Sequence, residues 1–380
     1  MRRERRRIGP GLAVVLAAGA LLAAGLLAAG GGVEAASAVA VTPRINGGVE
    51  DGTFTPSCLS GKTTAPDTGV LNAMGFRNKL GTVVRVIVPY NIAVSTSSAE
   101  YKCLNAYLTD AGHDHAAVEL TLDQGPNSPA GPSLNTYTTA VDDLHSRMGG
   151  RIAYLTAWNE PNNTSYLNGN DPAQRAGQYY VAARNVFGAK VVAGDFSSGV
   201  APSFLSAYLG PITGAGMRPG IWAIHPYTDV TNFQYYMYDG DSAQKAGQLA
   251  AKSSKVLQLA DELHSHGYGP GTQLWINEIY VDHNADKNPP PGLKKGAKGT
   301  GFSTHNQGYA ALFLNGGLGA DSLPGVLAGK NTPQLTRYIY LRAWDNGKTL
   351  ADADVLQVQA PGCVYDTLAS TAIKPAAVCE

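Results

Sequence analysis

Short runs of β-branched and aromatic residues recur along the chain at near-regular intervals. They are Val83–Pro89 (VVRVIVP), Ala116–Leu122 (AAVELTL), Ile152–Trp158 (IAYLTAW), Lys190–Ala193 (KVVA), Ile221–Ile224 (IWAI), Gln273–Ile276 (QLWI) and Tyr338–Ala343 (YIYLRA). Several are apolar on both faces, the pattern of parallel strands buried on each side. Helical patterns fill the intervals. Ser133–Met148 carries apolar positions at helical spacing. Asp171-Pro172 reads as an N-cap followed by Pro at the first helical position. Ser242–His266 reads as one long helix stopped at Gly267, and Thr304–Leu314 as another helix.

The strand ends fall at Pro89, Asp123, Glu160, Asp195, Pro226, Glu278 and Trp344, separated by 34, 37, 35, 31, 52 and 66 residues. The first four intervals each hold one βα unit. Seven such units in one run predict a single-domain α/β fold, a (β/α)8 TIM barrel, over an open doubly wound sheet. Its first strand is expected between about 41 and 80, in a Gly- and Pro-rich stretch. A Pro/Gly/Lys segment over 284–301 lies after the seventh strand, where a loop shapes the mouth of a barrel or is simply a solvated insertion.

The first forty residues stand outside this rhythm. Arg2, Arg3, Arg5, Arg6 and Arg7 precede an uncharged Ala/Leu-rich run from Gly11 to Gly30, followed by Ala36-Ser37-Ala38 and Ala38-Val39-Ala40. This is the pattern of a secretory signal peptide over 1–38, leaving 39–380 as the catalytic barrel. An uncleaved anchor is the alternative, because about twenty apolar residues span a bilayer. With cleavage, no membrane contact remains and the protein is secreted. The four cysteines, Cys58, Cys103, Cys363 and Cys379, fit export as disulfides; four allow three pairings, among them Cys58–Cys103 with Cys363–Cys379.

Composition removes several function classes. Lys+Arg and Asp+Glu are both 29, so the 380-residue chain has no net charge. Without residues 1–38, 24 basic residues face 27 acidic ones. Neither balance supplies the basic face that nucleic acid requires. Neither a G-x-S-x-G elbow nor a P-loop nor an H-E-x-x-H motif is present. Asp110-Ala111-Gly112-His113-Asp114-His115 precedes a strand, at the barrel end away from the chemistry, and reads as turn rather than metal ligands. Neither a metal nor an organic cofactor is implied, and a monomer is expected.

Candidate chemistry lies at strand ends. Glu160 ends Ala157-Trp158-Asn159-Glu160-Pro161-Asn162, and Glu278 ends Trp275-Ile276-Asn277-Glu278-Ile279-Tyr280. A carboxylate beside a core strand is costly unless it is paired or used. Cleaving an acetal needs an acid to protonate the leaving oxygen and a carboxylate to attack or stabilise the anomeric carbon. Glutamates from strands four and seven face each other across a barrel mouth. A separation of about 5–5.5 Å supports a covalent glycosyl-enzyme and retention. Arg85, an always-charged group within VVRVIV, needs a carboxylate close by and would keep it ionised. His225, Tyr227 and Trp344 each have a bland reading as core residues. Tyr235, Tyr236 and Tyr238, read as a loop after strand six, are either subsite aromatics or a packed patch.

The set Arg85, Asn159-Glu160-Pro161, His225-Pro226-Tyr227, Glu278 and Trp344, in that order, resembles the clan A glycoside hydrolases, most closely families thirty-nine and five. The resemblance spans roughly 83–344. It implies that Glu160 is the acid/base and Glu278 the nucleophile. It implies that Asn159 binds the sugar 2-hydroxyl, that Arg85 supports the nucleophile, and that Trp344 floors the subsite. The His225-Pro226-Tyr227 segment resembles the His-x-Tyr at the end of strand six. A carbohydrate is the implied substrate. Asn277 departs from the family pattern, which has Thr or a small residue before the nucleophile. That departure keeps a second class open: a carbohydrate-binding barrel that has lost catalysis. Transglycosylation by the same carboxylates is a third.

Overall fold

The computed structural model describes residues 46–53, 83–113, 115–124, 131–238, 241–279, 313 and 318–340. The chain divides into two units, Met1–Ala40 and Val41–Glu380. The first unit, and with it the expected signal peptide, lies outside the described residues.

In the second unit, eight parallel strands pair in chain order: β1 (Asn46–Thr53), β2 (Val83–Pro89), β3 (Ala117–Asp123), β4 (Tyr154–Thr156), β5 (Val191–Ser197), β6 (Ile221–His225), β7 (Gln273–Ile279) and β8 (Gln334–Tyr340). β1 also pairs with β8, through Asn46 with Arg337 and Val49 with Tyr340, and the ring closes. The obscure first strand is thus NGGVEDGT, at the near end of the window expected for it. Its glycines and acids carry no β-strand signal.

The helices that follow the strands are α1 (Ala99–His113), α2 (Leu134–Met148), α3 (Pro172–Phe187), α4 (Pro202–Gly214), α5 (Tyr227–Tyr238), α6 (Ala243–Lys252), α7 (Lys255–Ser265) and the short α8 (Leu323–Leu327). In α2, Tyr137, Ala140, Val141, Leu144 and Met148 are buried, one face of a 3.6-residue period. Ser133 caps it by accepting from the Thr136 N–H.

Several sequence expectations change. The segment 242–266 is two helices, because Ser253 leaves helical geometry and Ser254 starts α7 by accepting from the Leu257 N–H. Asp171 sits in the left-handed region at φ 52° and makes no side-chain cap, so α3 starts on Pro172 alone. The tyrosines after β6 lie on helix α5 rather than in a loop, and Tyr235 is buried. β8 begins earlier in the chain than expected, at Gln334. Trp344 lies outside the described residues, as do 284–301 and, apart from Phe313, 304–314. The segment Asp110–His113 is the last turn of α1, not a free turn.

The barrel interior is layered. Tyr154, Val192, Ile221, Ala223 and Trp275 form an apolar floor. Arg337 lies over the Trp275 ring at 4.7 Å and the Tyr154 ring at 5.6 Å. Above it sit buried polar side chains of β2 to β7: Arg85, Glu119, Thr121, Thr156, Asp195 and Asn277. Burying so many polar groups is tolerable only where they bond to one another; most of these do, while Glu119 Oε2 and Asn277 Oδ1 have no hydrogen-bond partner among the described residues.

Candidate active site

Arg85 is fully buried and reaches four partners from the middle of β2. Its Nε donates to Thr121 Oγ1 at 3.0 Å, Nη1 to Glu278 Oε2 at 2.9 Å, and Nη2 to both Asn159 Oδ1 and Asp195 Oδ2 at 3.0 Å. The planar guanidinium fork suits this, because its donors leave in fixed and different directions.

Backbone irregularities aim the carboxylates. After β4, the Asn159 N–H donates to Leu122 O and the Glu160 N–H to Asp195 O, so the chain stays in register beyond the last strand residue. Glu160 then adopts φ 43°, a left-handed conformation that a non-glycine residue holds only where the surroundings enforce it. Pro161 and a turn from Asn163 N–H to Glu160 O follow. Trp158 points the other way: it packs against Tyr137 and Tyr179 in the helix layer and donates its indole N–H to Tyr166 O. On β7 the register with β8 slips between Ile276 and Ile279. Such a bulge lets two consecutive side chains reach inward. Asn277 enters the polar layer, where its Nδ2 donates to Glu119 Oε1, Thr156 Oγ1 and Asp195 Oδ1. Glu278 goes to Arg85 and accepts from the hydroxyl of Tyr227 at the start of α5. The residue that departs from the family pattern is therefore packed into the interior as a structural amide.

The two glutamates converge on one imidazole. His225 Nδ1 lies 3.0 Å from Glu160 Oε1 and 3.7 Å from Glu278 Oε2. These two oxygens are thus within about 7 Å, the sum of 3.0 and 3.7 Å, at most the lower edge of the separation that leaves room for a water between carboxyls. The other face of the ring is held by Asp195, whose Oδ1 is 2.9 Å from His225 Nε2.

The charges arrange themselves accordingly. Burial disfavours the His225 cation, but the charges of Asp195 and Glu278 and its hydrogen bonds to Asp195 and Glu160 prevail, raising it to about 10. These surroundings favour the imidazolium form of His225. Burial pushes Asp195 up, but His225 and Arg85 outweigh it and hold Asp195 at about 2. For Glu160, burial is again outweighed, by the His225 hydrogen bond and charge and by hydrogen bonds from Asn163 and Ser197, and the carboxyl lies below its ordinary value. Two acids of β3 are shifted upward. Burial raises Asp123, at the end of β3, to about 6, and burial also raises Glu119 in the polar layer.

Of the residues singled out from sequence, Arg85, Asn159, Glu160, His225, Tyr227 and Glu278 come together; Trp344 falls outside the described residues. Cys103 on α1 is disulfide-bonded, and Cys58, Cys363 and Cys379 lie outside the described residues. Three contributors had not been singled out. Asn163 donates to Glu160 Oε2 at 2.9 Å. Asn162 ties the post-β4 loop to β5, its Nδ2 donating to Ser197 O and Gly199 O and its Oδ1 accepting from the Ser197 N–H. Asp195 links the histidine to the arginine. The one available signal was position: each follows a strand at its C-terminal end, where barrels place their chemistry.

No protein-family model matches the chain, and no curated protein does. Solved structures do. A glucosidase from Croceicoccus marinus superposes with a TM-score of 0.50 at 11% identity over 79% of this chain; the chain spans 60% of that enzyme's length. A family 5 xyloglucan-specific endo-β-1,4-glucanase from a metagenomic library gives 0.49 at 13% identity, covering 86% of this chain and 97% of its own. A family 5 glycoside hydrolase from Prevotella bryantii gives 0.47 at 13%, covering 86% and 96%. The chain thus shares its α/β fold with the glucosidase, in keeping with the fold that the resemblance read from its sequence implies.

Proposed function

We propose that this protein is a retaining glycoside hydrolase that cleaves an O-glycosidic bond in an oligo- or polysaccharide by double displacement. The observation that carries the reading is the shared imidazole: His225 contacts Glu160 and Glu278 with the same nitrogen. Oxygens within about 7 Å of each other admit the separation of about 5–5.5 Å that suits a nucleophile paired with an acid/base.

Environment divides the roles. Glu278 is ion-paired to Arg85 and oriented by Tyr227, the surroundings of a nucleophile whose lone pair must stay available. Glu160 is bonded to groups that exchange or orient protons, His225 and Asn163. Glu160 gives a proton to the leaving oxygen while Glu278 attacks the anomeric carbon. In the second step Glu160 takes a proton from the water that displaces Glu278. Arg85 holds Asn159 by its Oδ1, which turns the amide NH2 to the other side, the donor that a sugar 2-hydroxyl needs.

Export belongs to the same proposal. The Arg-rich start, the Ala/Leu run and the A-x-A sequence support it, as does a disulfide at Cys103, a bond of oxidising compartments. A panel of aryl glycosides and polysaccharides tests the activity, and Glu278→Ala tests the roles. The variant is expected to lose turnover and to form a glycosyl azide when azide is supplied. Wild-type turnover in Glu278→Ala removes Glu278 as nucleophile. Glycan binding without hydrolysis by the wild type turns the reading to a binding barrel.

A further inference from the structure

Asp195 has no part in the resemblance, yet it is the hub of the site. It is completely buried, and its two carboxylate oxygens take Arg85 Nη2, His225 Nε2 and Asn277 Nδ2 at 2.9 to 3.0 Å. Its backbone is special too. Gly194 and Asp195 have φ 83° and 60°, and the register with β6 slips between Gly194 and Phe196. The bulge turns Asp195 inward while Phe196 packs outward against Phe204 and Tyr208. A left-handed aspartate is strained backbone, which marks a position where the side chain's aim matters.

We propose that Asp195 is a positioning residue that makes His225 the proton store for Glu160, so that one proton passes between His225 Nδ1 and Glu160 during each half-reaction while Asp195 holds the ring by Nε2. The inference rests on the glycosidase reading of Glu160. Because Asp195 is an acceptor on Nε2, that nitrogen keeps its hydrogen, and Nδ1 is the one that exchanges with Glu160. In the first step the Nδ1 proton moves to Glu160, the Glu160 carboxyl gives a proton to the glycosidic oxygen, the bond from that oxygen to the anomeric carbon breaks and the bond to Glu278 forms. His225 is left as neutral imidazole. In the second step water adds to the anomeric carbon, the Glu278 ester bond breaks, and the proton of water passes through Glu160 back to Nδ1.

The groups around His225 fix the sign of its pH response. His225 faces Asp195 on β5, Glu160 after β4, Glu278 on β7 and the Tyr227 ring on α5. Asp195 also meets Arg85 of β2, and its charge is felt by Glu119 and Asp123 of β3 and Tyr208 of α4. Three carboxylates around one imidazole favour its cation, in line with a histidine raised to about 10. Removing one of them must lower the proton affinity of the His225–Glu160 pair, whichever partner carries the proton.

The test compares Asp195→Asn with wild type in two readouts. The first is the pH profile of kcat/KM on an aryl glycoside that the wild type turns over. The variant is expected to lose about 10²-fold in kcat with little change in KM. Its alkaline limb should move to lower pH, with the proton concentration at half-activity at least about tenfold higher. An alkaline limb that stays put, or moves up, overturns the proposal and leaves Asp195 a packing residue. The second readout, 15N NMR of the histidines, needs no substrate. Wild-type His225 is expected to hold both ring protons through neutral pH and to keep Nε2–H when it titrates. A wild-type His225 that titrates near 6.5, or keeps Nδ1–H instead, overturns the proposal even where Asp195→Asn does not fold. A wild type with this histidine but no glycosidase activity removes the glycosidase reading and, with it, the catalytic use of the relay.

Discussion

Arg85 Nη1 and Glu278 Oε2, 193 positions apart in the chain, meet at 2.9 Å, and the same guanidinium holds Asn159 and Asp195. One side chain on β2 thus ties together the ends of β4, β5 and β7. Arg85→Met removes the counter-charge of two carboxylates at once. A broken buried ion pair costs about 3–5 kcal/mol, because the remaining charge has no partner. The variant is expected to lose stability on that scale, measured by urea unfolding, and to lose activity at temperatures where it still folds. Arg85→Lys restores a charge but not the fork, so its activity should stay far below wild type.

The His225–Asp195 pair sets opposite ends of the stability profile. His225 is raised from 6.5 to about 10 on folding, so its contribution is complete below pH 6.5 and fades as pH rises through about 10. Asp195 is lowered from 3.8 to about 2, so its contribution is complete above pH 3.8 and fades as pH falls through about 2. Thermal unfolding across pH should show His225→Gln losing the alkaline decline, and Asp195→Asn the acid one. Asp123, raised to about 6, acts with the opposite sign between pH 3.8 and 6, so Asp123→Asn should gain relative stability as pH rises through that window.

Gly194 has φ 83°, and a Cβ there would stand 2.9 Å from Ala223 O on the neighbouring strand. Gly194→Ala therefore meets both a left-handed backbone and a backbone clash. A loss of more than about 1 kcal/mol is expected. Since the same bulge aims Asp195, kcat should fall along with stability. Unchanged kcat in the folded variant would show that the bulge does not set the site.

Ser254 is the contrasting case. It caps α7 through the Leu257 N–H and donates to the buried Asp229, which itself accepts from the N–H groups of Lys255 and Val256. Ser254→Ala should cost about 1–2 kcal/mol of stability and leave kcat/KM unchanged, because neither Ser254 nor Asp229 bonds to either glutamate.

What could be read in advance follows from how each feature is encoded. β2, β3, β6 and β7 are buried along most of their length and mainly apolar, with single polar residues such as Arg85 and Glu119 set among them, and their period and spacing carry the barrel. β1, NGGVEDGT, is invisible to such a reading because its pairing to β2 and β8 comes from the closed ring rather than from its own residues. The break at Ser253-Ser254 was hidden within an amphipathic pattern that continues on either side of it. The glutamates stood out because a carboxylate after an apolar strand is conspicuous. Asp195 occupies the same kind of place, but its role depends on a bulge and a left-handed φ, which no periodicity announces. Asn277 looked like a flaw in a motif and is instead an interior amide, made possible by the slip of register next to it.

The central claim is that Glu278 becomes covalently bonded to the sugar. Incubation with a panel of 2-deoxy-2-fluoroglycosides bearing a good leaving group, followed by peptide mass spectrometry, reads this directly. One added fluoroglycosyl group is expected on the peptide containing Glu278, and none on Glu278→Gln. A label on another carboxylate, or turnover of the parent glycoside with inverted anomeric configuration in the product, contradicts it.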